Sequence, residues 1–391
     1  MQYSYIIIAS TLLFLSGVVV TYLLHSRYHL KIVVPERVEP LPHPAERISV
    51  IVPARNEARN IRRCILALLA QTYLNYELIV VDDRSNDETP SILAELQRDH
   101  PSRLQVVAGG DLPAGWAGKP HALHLGTQAA HGDWLCFVDA DTFAAPDLLA
   151  AAFTTARAQK ADLFTILTDQ ELGSFWEKAI LPLVFTALSF GFPAEKVNDP
   201  HRPEAIANGQ FILIRRSVYA AVGGHAAIRD RIAEDKALAQ MVKGHGYRLI
   251  VADGRRVAST RMYTRFAEIW EGWTKNIFLG MRDRLGLLLF GAFVSLAAAL
   301  LLPLWLVGGL YWFASTGAAS AALVISQALA LWAYIIYWRV RASLAFHISP
   351  LYAFTLPLGA FLFTAMMFAS SFRVLSGQGV TWKGRTYTES S

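Results

Sequence analysis

Hydrophobic positions fall into three regimes along the chain. From Tyr3 to Leu24 no charge interrupts an apolar run, which as a helix is long enough to cross a hydrocarbon core of about 30 Å. Between about residues 47 and 255, short β-branched runs alternate with helically spaced ones. "RISVIVPA" (47–54) and "YELIVVDD" (76–83) read as strands, and between them Ile61, Cys64, Ile65, Leu68 and Leu69 recur on one helical face. "RLQVVAGG", "DWLCFVDAD" and "DLFTILT" continue the series, so the middle of the chain predicts an α/β domain with a mostly parallel sheet. From Leu285 to Ser371 the only charges are Arg339 and Arg341, and apolar blocks near 285–307, 318–338 and 350–371 read as further spans.

Two stretches fit neither regime cleanly. "FWEKAILPLVFTALSFGFP" (175–193) is too apolar for one face of a soluble helix. It either dips into the bilayer surface, walls a lipid channel, or is a fully buried helix. Just before the spans, Phe266, Ile269, Trp270, Trp273 and Ile277 share a helical face that Arg265, Glu268, Glu271 and Lys275 avoid. That pattern predicts a helix lying in the membrane interface, the alternative being one packed on the sheet.

The resulting organisation is an N-terminal anchor (1–26), a basic, Pro-rich linker (27–46), the α/β domain (47–262), the amphipathic helix (263–284), membrane segments (285–372) and a basic tail (373–391). The first run lacks the basic start and small-residue cleavage site of a signal peptide, so it reads as an uncleaved anchor. Arg27, Lys31 and Arg37 follow it, which places the α/β domain on the cytoplasmic side of an inner membrane. Three C-terminal crossings would carry the tail outside, whereas Arg373, Lys383 and Arg385 favour the inside. One block is then re-entrant or interfacial, with Pro350 and Pro357 marking the last as the candidate.

Composition agrees with a mixed protein: 53% hydrophobic residues and 17% charged ones in 391 residues exceed an ordinary soluble chain and fall short of a pure bundle of spans. The net charge of +5 lies mainly beside apolar segments, which points to anionic lipid rather than nucleic acid. Cys64 and Cys136 both fall in core-like patterns and predict buried, reduced thiols.

The candidate chemistry sits at strand ends, where ligands of open α/β sheets bind. "VPARNE" (52–57), "VDDRSNDET" (81–89) and "VDAD" (138–141) end three predicted strands. Asp139 and Asp141 can share one cation, and their hard oxygens favour Mg²⁺ or Mn²⁺ with the shell completed by phosphate and water. A crevice for a nucleotide diphosphate follows. His121, His131, His225 and His245 lack ligand spacing and are read as capping or packing residues.

Taken together, "VIVPARNE", "VVDDRSNDET", "GKPHALHLGTQAAHGDW", "VDAD", "NGQFILIRRSVYAAVGG" and "AEDKALAQMVKGHGYRL" come in an order that resembles the family 2 glycosyltransferases of GT-A (Rossmann-like) fold, over roughly Ile48 to Lys275. The resemblance implies a metal-dependent, inverting transfer of a hexose from a UDP-sugar. It implies that Pro53, Ala54, Arg55 and Glu57 line the nucleotide end, that Asp83 meets uracil or ribose, and that Lys119 lies near the phosphates. Asp139 and Trp273 join this donor set, and Asp139 and Asp141 hold the metal. Asp235 would be the general base toward the acceptor hydroxyl, supported by Glu234. His124 stands where many relatives have Asn, so it receives no contact. Polymerising members carry Q/R-x-x-R-W after the base; here "WEGWTKN" keeps Trp273 but puts Gly272 in place of the Arg, leaving Lys275, Arg265 or Lys119 to balance the diphosphate.

"GWAGK", the terminal "TWKGRTY" and the apolar segments make the chain look most like bacterial transferases acting on carotenoids or hopanoids, and more distantly like ceramide glucosyltransferase. The expected partners are a UDP-sugar, a membrane lipid and the bilayer, with no nucleic acid and no obligate protein partner evident. The rival expectations are a processive polysaccharide synthase and a non-catalytic membrane scaffold on the same fold.

Overall fold

A computed structural model describes residues 4–25, 30–38, 46–281, 285–376, 380–382 and 385–387. Parts of the predicted linker, including Arg27, lie outside these residues, as does Lys383 of the basic tail. In chain order the elements are α1 (Ser4–His25), β1 (Ile48–Ala54), α2 (Ile61–Leu69), β2 (Tyr76–Asp82), α3 (Thr89–Asp99), β3 (Leu104–Ala108), α4 (Gly118–Ala129), β4 (Trp134–Val138), β5 (Thr142–Ala144), α5 (Leu148–Ala158), β6 (Leu163–Leu167) and β7 (Asp169–Gln170). There follow α6 (Phe175–Gly191), α7 (Ala194–Asn198), β8 (Phe211–Arg215), α8 (Arg216–Ala221), α9 (Gly224–Ala227), α10 (Glu234–Gly244), β9 (Leu249–Asp253), β10 (Ala258–Thr260) and α11 (Phe266–Met281). The C-terminal part holds α12 (Leu285–Leu296), α13 (Leu302–Thr316), α14 (Ala319–Ala345), α15 (Leu356–Leu375), β11 (Val380–Trp382) and β12 (Arg385–Tyr387).

The chain divides into two compact units. One comprises Leu30–Glu171, Ala194–Met262 and Gly379–Ser391; the other Met1–His29, Leu172–Pro193 and Tyr263–Gln378.

The first unit is built on a seven-stranded sheet in the order β3-β2-β1-β4-β8-β6-β9. The first four strands are mutually parallel, β8 runs antiparallel to both its neighbours, and β9 is parallel to β6. The sheet is thus mostly parallel, as its continuous apolar runs require when both faces are covered. Val50, Val52, Leu78, Val80 and Cys136 are fully buried. The predicted face of α2 is the one buried, and both cysteines are free and buried. Pro53 lies beyond the last rung that β1 shares with β4, Ile51 opposite Phe137, so its missing N–H breaks no bond of that ladder. A small sheet, β5-β10-β7, lies in the same unit.

The second unit is helical. Among the described residues three helices are long and apolar enough to cross a membrane, Ser4–Leu24, Ala319–Ala345 and Pro350–Phe372, which are the helices of a membrane protein. Pro350 opens a 3-10 turn and Pro357 sits in the first turn of α15, where a missing N–H costs nothing; neither breaks the helix. The block 285–307 becomes α12, a π-helical turn (Ala297–Leu301) and the start of α13, whose second residue is Pro303. A polar pair joins α1 to α14, with Ser10 Oγ donating to Gln327 Oε1 and Gln327 Nε2 donating to Thr11 Oγ1, at 2.5 and 2.9 Å. Between apolar helices such bonds fix which faces meet.

Helix α6 belongs to this unit although its sequence interrupts the α/β domain. It contains Pro182, which has no N–H for the carbonyl of Lys178 one turn earlier. Arg339 of α14 takes that role: its Nη2 donates to Lys178 O at 3.0 Å and to Ala179 O at 3.2 Å. A buried arginine in an apolar bundle is explained by a carbonyl that proline left bare. Arg339→Met is expected to cost about 1–3 kcal/mol, the usual penalty for an unpaired buried polar group, read as a lower unfolding temperature in detergent.

Helix α11 buries Ile269, Trp273 and Ile277 and leaves Phe266 and Trp270 half-buried, with Arg265 exposed just ahead of it. Trp273 packs edge-on against Phe185 of α6, centroids 6.0 Å apart. A Cβ at Gly272 would stand 2.3 Å from the ring of Tyr263. A side chain at this position would therefore require the Tyr263 ring to move.

Candidate active site

The loops after β1 and β2 are tied into one surface. The Arg55 guanidinium donates through Nη1 to the carbonyls of Asp83 (2.7 Å) and Arg84 (3.2 Å), and the Asp83 N–H donates to Ala54 O at 2.8 Å. Asn56 donates its N–H to Ser85 Oγ and accepts from the Asn86 N–H through Oδ1, both at 2.9 Å. Glu57 gives its N–H to Thr89 Oγ1 at 2.8 Å and accepts from Asn60 Nδ2 at 3.0 Å. Asn56 and Arg84 both sit in the left-handed region, φ 52° and 54°, which a non-glycine residue occupies only when surroundings hold it there. Asp83 is buried at the base of this surface.

Four further predicted residues converge near the end of β4. The Lys119 ammonium, in the first turn of α4, lies 2.7 Å from Asp139 Oδ1 and 2.7 Å from Glu234 Oε1. Asp235, beside Glu234 in the first turn of α10, accepts the Gly209 N–H through Oδ2 at 3.1 Å and the Lys236 N–H through Oδ1 at 2.7 Å. Acidic residues favour this end of a helix, where unpaired N–H groups and the macrodipole offset their charge. The loop ahead of α4 is drawn to the chain ahead of α10 by the Ala117 N–H donating to Arg229 O at 2.6 Å.

Gly209 marks the centre. A Cβ built there would lie 3.1 Å from Asp235 Oδ2, 3.1 Å from Lys119 Nζ and 3.5 Å from Asp139 Oδ2, so three charged groups from three elements crowd one glycine. With Pro53, Phe137, Ile212 and His225 they wall a cavity of about 10 Å³, the room of one water-sized group.

The electrostatics follow from this crowding. Burial alone would lower Lys119, but the charges of Asp139, Glu234 and Asp235 prevail and hold it well above the ordinary range. Burial raises Asp139, partly offset by Lys119. Asp235 is raised to about 6, by burial first and then by the charge of Glu234, against Lys119. His225 is lowered to about 3 by burial and is neutral at physiological pH.

Do these residues fit a divalent cation? Among the described residues no three His, Cys, Asp or Glu side chains form a closed ligand cage. Asp139 and Asp141 nevertheless follow the buried strand β4, and the charges of Asp141, Glu57 and Asp139 add to burial in pushing up the Cys64 thiol, so all three carboxylates lie within electrostatic reach of one buried group. With Glu234 and Asp235 close by, acidic groups outnumber the single ammonium. Hard oxygens in an anionic, open site suit a cation whose remaining positions go to phosphate and water.

Of the predicted residues, Pro53, Lys119, Asp139, Glu234 and Asp235 wall the same cavity. Ala54, Arg55, Glu57 and Asp83 form the adjoining loop surface, with Arg55 bracing backbone carbonyls. Asp141 follows β4, its carbonyl accepting the Arg261 N–H at 3.3 Å. Trp273 is a residue of the helical unit. Sequence reasoning gives Gly209 no role and His225 only a packing one. The "NGQ" and "VGGH" strings are the available signal, and only the third dimension shows that they meet.

Comparison with known proteins bears on this arrangement. Residues 49–223 match the family described as Glycosyl transferase family 2. A 4,4'-diaponeurosporenoate glycosyltransferase of Staphylococcus haemolyticus is 29% identical over 239 residues, covering 60% of this chain and 62% of that protein. The Staphylococcus aureus protein of the same name is 28% identical over 353 residues, covering 87% and 88%. Among solved structures, the mannosyltransferase PcManGT from Pyrobaculum calidifontis, in complex with GDP-Man and Mn²⁺, superposes with a TM-score of 0.55 at 20% identity, covering 95% of this chain and 98% of that one. This likeness shows the fold.

Proposed function

Because the chain carries a glycosyl transferase family 2 domain and is a glycosyltransferase, we propose that it transfers a hexose, with inversion, from a UDP-sugar to a hydroxyl group of a membrane lipid of the carotenoid, hopanoid or glycolipid class. The single observation that carries this reading is the meeting of Lys119, Asp139, Glu234 and Asp235 around Gly209.

Each residue has a task that its surroundings suit. Asp235, with a raised pKa and no basic partner of its own beyond the shared Lys119, accepts the proton of the acceptor hydroxyl as that oxygen attacks the anomeric carbon. Glu234 anchors Lys119, whose ammonium faces the departing diphosphate. Asp139 and Asp141 would hold Mg²⁺ or Mn²⁺, which supplies Lewis-acid stabilisation of the leaving group when bound. Arg55, Asn56 and Glu57 keep the β1 and β2 loops in register, so that Asp83 is presented to the nucleoside from a fixed surface.

The helical unit supports a lipid acceptor, since it gives the enzyme a place in the bilayer where such a substrate dissolves. The basic residues after α1 support a catalytic unit on the cytoplasmic side of the inner membrane. Glycine at 272, packed against the Tyr263 ring, in place of the Arg that polymerising enzymes carry speaks against a processive synthase.

The relatives' printed name favours a second acceptor chemistry, because a neurosporenoate is a carboxylate. Such an acceptor arrives already ionised and needs no base. Incubating the purified protein with labelled UDP-sugars and a native lipid extract, then identifying the labelled product by mass spectrometry, tests the proposal. A single hexose on a lipid is expected; a long glycan, or no label with any UDP-sugar and Mn²⁺, overturns it.

A further inference from the structure

Resting on that reading, we propose that His225 selects the transferred sugar by donating its Nε2–H to one sugar hydroxyl that enters the cavity beside Glu234 and Asp235.

Tyr219 has one proton to share among its neighbours. Its Oη accepts the backbone N–H of His225 at 2.9 Å and lies 2.8 Å from His225 Nδ1. The other neighbour, Thr127 Oγ1, is 3.5 Å away and gives its own proton to Leu123 O at 2.8 Å. At 3.5 Å Thr127 is a poor acceptor for the phenol's proton and Nδ1 at 2.8 Å a good one, which favours Nδ1 as the acceptor and puts the ring proton on Nε2. Burial keeps the ring neutral, so only one of its nitrogens carries a proton.

The ring is also fixed in place. Phe137 meets it edge to face at 4.9 Å, Tyr219 packs on it at 5.5 Å, and the residue is 1% exposed. A cavity wall it shares with Asp139, Glu234 and Asp235 is thus furnished with one rigid neutral donor amid carboxylate acceptors. Among the described residues Nε2 makes no hydrogen bond, so the cavity wall that His225 helps to form holds a donor that an entering oxygen can take. At about 10 Å³ the space admits one oxygen and excludes a ring. A hydroxyl fits both needs, since its oxygen takes the Nε2–H and its proton goes to a carboxylate. A site built this way discriminates against a sugar lacking that group, because its own polar atoms would be left unpaired.

The test uses the full-length protein in detergent, with the UDP-hexose the wild type turns over and the full set of its monodeoxy analogues. For the wild type, kcat/KM is expected to fall about tenfold or more for one analogue and little for the rest. His225→Asn keeps an acceptor for Tyr219 and loses the Nε2 donor. It is expected to lower kcat/KM for the parent sugar by a similar factor and to treat parent and analogue alike, while His225→Gln regains most of the preference. Equal use of all analogues by the wild type overturns the proposal without needing any variant to fold. So does an Asn variant that keeps the preference, or one that loses the same factor on every donor. A wild type that transfers no hexose from any UDP-sugar ends the functional reading itself, which is a separate outcome.

Discussion

Asp235→Asn is expected to slow transfer to a lipid alcohol by about a thousandfold, within the usual range for removal of a general base, while the protein stays folded. The substitution is nearly isosteric, leaves an oxygen for the Gly209 N–H, and removes a buried negative charge from a site already crowded with them. The pH profile carries the same information. The base works only when ionised, and burial with the Glu234 charge holds Asp235 up to about 6. Wild-type kcat/KM should therefore rise as pH passes upward through that region and level off above it, and the residual activity of the Asn variant should lack this limb. A carboxylate acceptor brings no proton, so with one the variant should lose little. Wild-type rates for the Asn variant on an alcohol acceptor would remove Asp235 from the mechanism.

Asp139→Asn is expected to cost a comparable factor, about a thousandfold, equivalent to the several kcal/mol a cation supplies to a leaving diphosphate. Two losses combine here. The strand end gives up one of its two hard anionic ligands, and Lys119 loses one of its two partners at 2.7 Å. Calorimetry of UDP binding with and without Mn²⁺ separates them, since the variant should bind UDP no better when Mn²⁺ is added. Activity that survives both EDTA and the substitution would show that the ammonium alone balances the diphosphate.

Much of the candidate site is legible because its residues fall at the ends of strongly patterned elements. The apolar runs of β1, β2 and β4 announce strands, and carboxylates at their ends are expected to meet wherever parallel strands share an edge. What the pattern does not reveal is the insertion of β8, antiparallel, between β4 and β6. Periodicity reports a strand's faces, not its neighbours, and it is β8 that brings Gly209 against Asp139 and Asp235. His225 reads as packing, and it does pack. Its role as a donor depends on Tyr219 claiming the other nitrogen, a contact no spacing rule encodes. Trp273, which the resemblance assigns to the donor set, packs against Phe185 within the helical unit, a contact its motif does not announce. Arg55, expected to line the nucleotide end, also holds two main-chain oxygens of the β2 loop, which its motif does not announce.

The link between Arg339 and the carbonyls of Lys178 and Ala179 also bears on biosynthesis. Translation delivers α6 long before its arginine, so a nascent chain carries an apolar segment with a bare oxygen until α14 emerges. Products terminated ahead of that point should be cleared by membrane proteases even though the whole candidate site has already been made.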